Sequence, residues 1–184
     1  MPESIATANN DRFTLGSYFQ TLTRILGSPG QFFSEFPEDV GFGRPFGFLL
    51  ISSLFFTGAS LTCIHEKPIL IAGILFVNSI TMPFGSAGLG FMVMSMAIAK
   101  RVTFARLFAV YAFAAGVTLL ASWIPLFIWL TEPWKWMLIA LGMVKGCGFS
   151  WTQAFLIIGL SVFILVLFFW SLGPVVFYIK GLAG

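Results

Sequence analysis

The sequence predicts an all-α, polytopic membrane bundle of five spans with an amphipathic helix on its N-terminal side. Three observations predict it. Of the 184 residues, 58% are hydrophobic and only 9% charged, whereas a soluble domain carries about 25% charged residues. Mean hydropathy is +0.96. Long uncharged runs are separated by short polar or Gly/Pro-containing breaks. So few charges cannot clothe a water-facing surface. The net charge of +3 is accounted for by where the spans end and implies no nucleic-acid partner.

The stretch that organises the chain is Lys100 to Pro125. A basic knot (Lys100, Arg101, Arg106) opens it, a run rich in small residues follows, and Trp123 and Pro125 close it. With apolar sequence on both sides it is the central span, and its cations are the topology determinants.

Two units are expected, a cytoplasmic N-terminal segment over 1–44 and a transmembrane domain over 45–184. The start, through Arg12, is polar and mobile by expectation. It lacks a basic stretch followed by an apolar core, so no cleavable signal peptide is expected. From Leu15 to Leu26 the apolar residues (Leu15, Tyr18, Phe19, Leu22, Ile25, Leu26) fill one arc of a helix, opposite Ser17, Gln20, Thr21 and Arg24. Gly27 stops it. Ser28-Pro29-Gly30-Gln31 then reads as a cap, a first-turn proline and a capping-box glutamine, opening a short helix with Phe32, Phe33 and Phe36. Leu15, Tyr18, Phe19, Leu22, Phe32 and Phe33 are candidate docking residues at the interface, either for a partner or for the chain's own bundle.

Asp39 to Arg44 is a polar hinge. A first span follows over about Pro45 to Cys63, long enough for ~30 Å of hydrocarbon. His65-Glu66-Lys67-Pro68 forms a loop. The second run, Pro68 to Ala99, is 32 residues, or ~48 Å as a straight helix. With Pro83, Gly85, Gly88 and Gly90 in its middle it is expected to be one kinked span, two half-spans being the alternative. The central span reaches about Leu130, where Thr131-Glu132-Pro133 breaks it. Trp134 to Val144 is a short fourth segment that either crosses or dips in and returns. Lys145 to Gly148 turns into a last span from Trp151 to about Ile179, bent by Gly173-Pro174. Seven basic residues (Arg12, Arg24, Arg44, Lys100, Arg101, Arg106, Lys145) against three (Lys67, Lys135, Lys180) place the N-terminus in the cytoplasm.

Between Phe46 and Cys63, Ile69 and Ala99, Leu107 and Leu130, and Trp151 and Ile179 there is no Asp, Glu, Lys, Arg or His, and Arg106 lies at a span end. Pumps and proton relays require such groups, so proton-coupled transport and intramembrane proteolysis are excluded as expectations. Cys63, Cys147 and the single His65 form no metal-ligand pattern. No catalytic, metal or cofactor site is expected. Asn78, Pro83, Gly85, Gly88 and Gly90, with Ala112 and Gly116, are candidate helix-packing positions or the lining of a path.

Several elements together resemble the Yip family of membrane proteins (Ypt/Rab-interacting-protein domain), in its short bacterial form. They are Pro29 to Phe33, a long second span leading to a basic turn, Phe108-Ala109-Val110-Tyr111-Ala112, Pro125, the Trp134/Leu138/Gly142 segment, and Ser150 with Ala154. The resemblance implies five spans and a cytoplasmic N-terminus. The chain lacks the long N-terminal region and the D-L-Y-G-P-type motif of eukaryotic members, with Gly41 to Pro45 keeping only Gly and Pro. It therefore does not imply GTPase binding. A prokaryotic inner membrane is the expected location.

The expected function is a non-enzymatic scaffold or accessory subunit, whose partners are membrane lipids and other integral membrane proteins or a second copy. A small passive channel at the kinked second span is the alternative. A redox-complex subunit touching quinone or haem near His65 is the third.

Overall fold

The computed structural model describes residues 14–37, 40–64, 67–98, 102–124 and 126–182, with side chains as far as 171 except Phe169. The described chain is all helix and turn. Seven helices occur in order: α1 (Leu15–Gly27), α2 (Pro29–Ser34), α3 (Gly43–Ser60), α4 (Pro68–Ala97), α5 (Phe104–Ser122), α6 (Ile128–Leu141) and α7 (Trp151–Leu182). Four segments are long and apolar enough to cross a membrane: Gly43–Cys63, Pro68–Ala97, Phe104–Ser122 and Trp151–Phe168. The expected polar tail, the His65-Glu66 loop, Lys100, Arg101 and the Pro125 terminator lie outside the described residues.

The core forms around α5. Every residue from Leu107 to Thr118 is buried, because small side chains (Ala109, Ala112, Ala114, Ala115, Gly116) let neighbours close in on all sides. Thr103 starts the helix, its hydroxyl accepting the Arg106 N–H at 3.4 Å. On one side lies α3, parallel to α5. Near their starts Phe42 meets Phe104 and Phe108, with ring centres 5.9 and 5.6 Å apart, and further along Phe48 meets Phe113 at 5.3 Å. On another side α4 runs antiparallel, Phe91 meeting Phe104 and Phe84 meeting Phe108.

Pro83 lies inside α4, which continues through it as one helix. The proline removes one ladder N–H and leaves the Ser79 carbonyl without its helical partner. Likewise α7 runs through Gly173 and Pro174 without interruption.

Three boundaries differ from those read in the sequence. The central helix ends at Ser122, and α6 starts at Ile128 and passes through Thr131-Glu132-Pro133. The break instead lies at Trp123, Ile124, Leu126 and Phe127, with Leu126 at φ 73°, a left-handed conformation that a leucine rarely takes. Apolar character hid this turn, while the polar triplet that looked like one is carried as the early turns of a helix. The fourth segment is also longer than Trp134 to Val144. It is fourteen residues of α-helix continued by a five-residue π-helix, Gly142–Gly146, together ~28 Å at 1.5 Å per residue. The reversal follows at Cys147 to Ser150. There Gly148 takes φ 66°, which glycine adopts without steric cost, and the Phe149 N–H bonds back to the Met143 carbonyl at 3.1 Å. Ser150 and Gln153 then form a reciprocal capping box for α7.

The third difference concerns Ser28 and Gln31. Ser28 makes no side-chain cap, since its backbone also closes α1 through an N–H bond to the Arg24 carbonyl. Gln31 turns forward to donate to Glu35 at 2.9 Å. The capping box sits one helix earlier, between Thr14 and Ser17.

Candidate functional site: the N-terminal wedge and the central helix

The two N-terminal helices do not lie loosely on the bundle. They form a hairpin wedged against α3, α5 and the π-turn, and three contacts fix it. Tyr18 is buried, with its hydroxyl 3.0 Å from Ser52 Oγ and its ring 4.8 Å from Phe48. Phe32 and Phe36 both stack edge-on against Phe113. Phe33 is fully buried in a socket made by two glycines one helical turn apart. A methyl on Gly142 would lie 2.5 Å from Val110 and 3.1 Å from the Phe33 ring, and one on Gly146 would lie 3.3 Å from the Phe33 backbone carbonyl. The pair Gly142/Gly146 therefore exists to admit α2.

Burial raises the pKa of the Tyr18 phenol, an effect that the Ser52 hydrogen bond only partly offsets. The ring stays neutral well past ordinary pH, and the Tyr18–Ser52 bond joins two neutral hydroxyls. Tyr18→Phe leaves Ser52 buried without that partner, which costs about 1–2 kcal/mol. A correspondingly lower melting temperature in detergent, with unchanged secondary structure, is the expected result.

The hairpin's outer edge carries an ion pair between Arg24 and Glu35. Glu35 is held below the usual carboxylate range by the Gln31 hydrogen bond first and by Arg24 after it. A depressed carboxylate contributes stability above its unfolded pKa, about 4.3, and loses that contribution as pH falls through the folded value. Both side chains are well exposed, so the effect is small. Loosening of the α1–α2 turn, followed by spin labels on Gln20 and Ser34, should set in only in acid in the parent chain and be present at every pH in Glu35→Gln.

Of the six docking candidates, Tyr18 and Phe33 are buried, Leu22 and Phe32 are partly buried against the core, and Leu15 and Phe19 are exposed. α1 thus has two apolar strips, one on the bundle and one, with Leu26, facing out. The packing-or-path candidates also divide. Gly90 abuts the Tyr111 hydroxyl, a methyl there coming within 2.8 Å. Gly116 abuts Phe48 and Ser52 in the same way, and Ala112 is fully buried. Asn78 and Gly85 lie on the exposed face of α4, and Pro83 and Gly88 are intermediate. These seven residues do not converge on one space. Arg106 starts α5 beside the near end of α3, whereas the positions of Lys100, Arg101 and His65 lie outside the described residues.

Among the described residues, no Asp, Glu, Lys or Arg is buried; the buried polar side chains are hydroxyls. No three His, Cys, Asp or Glu side chains come together as a metal site among those residues. Cys63 is exposed and Cys147 buried.

Sequence reading missed Phe113 as the hub where α2, α3 and α5 meet. Its 3.6-residue register with Ala109 and Gly116 was visible, but a helix buried on every side has no amphipathic pattern to single out one ring. It also missed the pairing of α5 with α6. Ser122 Oγ lies 3.2 Å from Thr131 Oγ1 at one end, and Gly142 meets Val110 towards the other, so α6 runs back along α5.

Comparison with protein-family models, curated proteins and solved structures finds no match to this chain.

Proposed function

We propose that this chain is a non-enzymatic membrane scaffold or accessory subunit, a bundle that works through its outer surface. The observation that carries this reading is the contrast between interior and exterior. Around α5 the space is filled by aromatic rings and small side chains, with hydroxyls as its buried polar groups. By contrast α4 and α7 turn long apolar faces outward, including Ile74 and Val77 on α4 and Phe155, Phe163 and Leu167 on α7. Such faces suit contact with lipid and with the helices of other membrane proteins.

The reading includes five crossings, with α6 and its π-turn as the fourth, supported by the antiparallel pairing of α6 with α5. It places the N-terminus in the cytoplasm and the protein in a prokaryotic inner membrane, supported by the distribution of basic residues. The motif resemblance to the Yip family agrees with this topology and is offered on the same footing.

Purification from native membranes in mild detergent, with mass spectrometry of what co-elutes, tests the function. Stoichiometric integral membrane partners are expected. A homogeneous preparation without partners that conducts ions or solutes when reconstituted would overturn the reading in favour of a channel.

A further inference from the structure

Between α6 and α7 the bundle leaves an open groove of about 460 Å³, lined by Trp136, Val162, Leu165, Val166 and Trp170. Its walls are apolar, with Val162, Leu165, Val166 and Trp170 on α7 and Trp136 on α6. Apolar walls on the surface of a membrane bundle suit a lipid acyl chain. Just before Trp136 on α6 stands an ion pair, Lys135 Nζ to Glu132 Oε1 at 2.6 Å. The same ammonium lies 5.6 Å from the Trp136 ring centre. The Lys135 side chain is 24% exposed and that of Glu132 46%, so each keeps a free edge. An ammonium has three donors and a carboxylate about four acceptor positions; the pair's single contact leaves most of them open.

We infer that this groove holds one acyl chain of a zwitterionic phospholipid with a primary amine in its headgroup. Lys135 receives the phosphate and Glu132 the ammonium. A neutral dipole of two opposite charges complements a headgroup of two opposite charges, whereas an anionic headgroup would meet Glu132 without compensation. The order along the chain fits: the charged pair precedes Trp136 on α6, and the groove continues from Trp136 along α7. Trp136 and Trp170 flank the chain, where indoles suit the boundary between headgroup and hydrocarbon. Basic sites between transmembrane helices hold lipid headgroups generally; here the paired carboxylate changes the selectivity. This inference rests on α6 being a membrane crossing.

Native mass spectrometry of the full-length protein in mild detergent, with added dioleoyl phosphatidylethanolamine or dioleoyl phosphatidylglycerol, tests it. One phosphatidylethanolamine is expected to stay bound, at least five-fold more than phosphatidylglycerol. Val166→Trp fills the groove and should abolish the difference. Glu132→Gln, which changes an exposed carboxylate alone, should shift preference towards phosphatidylglycerol. Equal retention of the two lipids, or a preference unmoved by both substitutions, would overturn the proposal. If lipid is not retained although α6 is found to cross, the lipid site alone fails; if α6 does not cross, the crossing assignment fails first.

Discussion

Phe33→Ala is expected to lower the melting temperature in detergent by about 6–12 °C, the equivalent of roughly 3 kcal/mol in a chain of this size. The ring is fully buried, touches Phe32 and Phe36 edge-on, and fills the socket over Gly142 and Gly146. Alanine removes the ring without allowing the socket to collapse, because its floor is helix backbone. The short helix α2 has six residues, too few to hold its shape without tertiary contacts. The loss should therefore show as release of the whole hairpin, read as faster proteolysis near Gly27 and Ser28. Phe19→Ala, on the exposed strip of the same hairpin, should leave both readings nearly unchanged.

The second large effect is expected from the other wall of the socket. Gly142→Ala places a methyl 2.5 Å from Val110, a buried β-branched residue in the most enclosed helix, so neither side yields cheaply. Overpacking of this kind costs about 1–3 kcal/mol. A helical Gly→Ala change otherwise gains up to about 1 kcal/mol, which makes a net loss here diagnostic. Gly159→Ala supplies the contrast: nothing lies within 4 Å of its added methyl, and no loss of stability is expected. Thermal unfolding of the two variants side by side checks the sign of each. If Gly142→Ala were as stable as Gly159→Ala, the hairpin would not be seated in the socket described.

Much of the architecture was legible in the sequence because lipid leaves few options. A long uncharged run must be helical to satisfy its own backbone, and the starts of α3 near Pro45 and of α4 at Pro68 follow from hydropathy and from the prolines. The centrality of α5 was legible from its small residues. What misled was polarity used as punctuation. Thr131, Glu132 and Pro133 look like a break, yet Thr131 bonds Ser122 and Glu132 bonds Lys135 within and beside α6. The true turn, around Leu126 and Phe127, is as apolar as the helices it joins. The amphipathic arc of α1 was read correctly as apolar on one side, but pattern alone could not divide it into Tyr18, Leu22 and Ile25 towards the bundle and Leu15, Phe19 and Leu26 away from it. The Phe33 socket needed long-range information: Gly142 and Gly146 form a common spacing until α2 is placed over them. The α6–α7 groove likewise depends on which rungs of two helices face each other.

The proposed topology has α5 and α6 crossing the membrane as an antiparallel pair. Single cysteines at Leu126 and Ser150, in a chain with Cys63 and Cys147 changed to serine, test it in intact cells with an impermeant maleimide. Leu126→Cys should label from outside and Ser150→Cys only after the membrane is opened. Labelling of both from the same side would contradict the account.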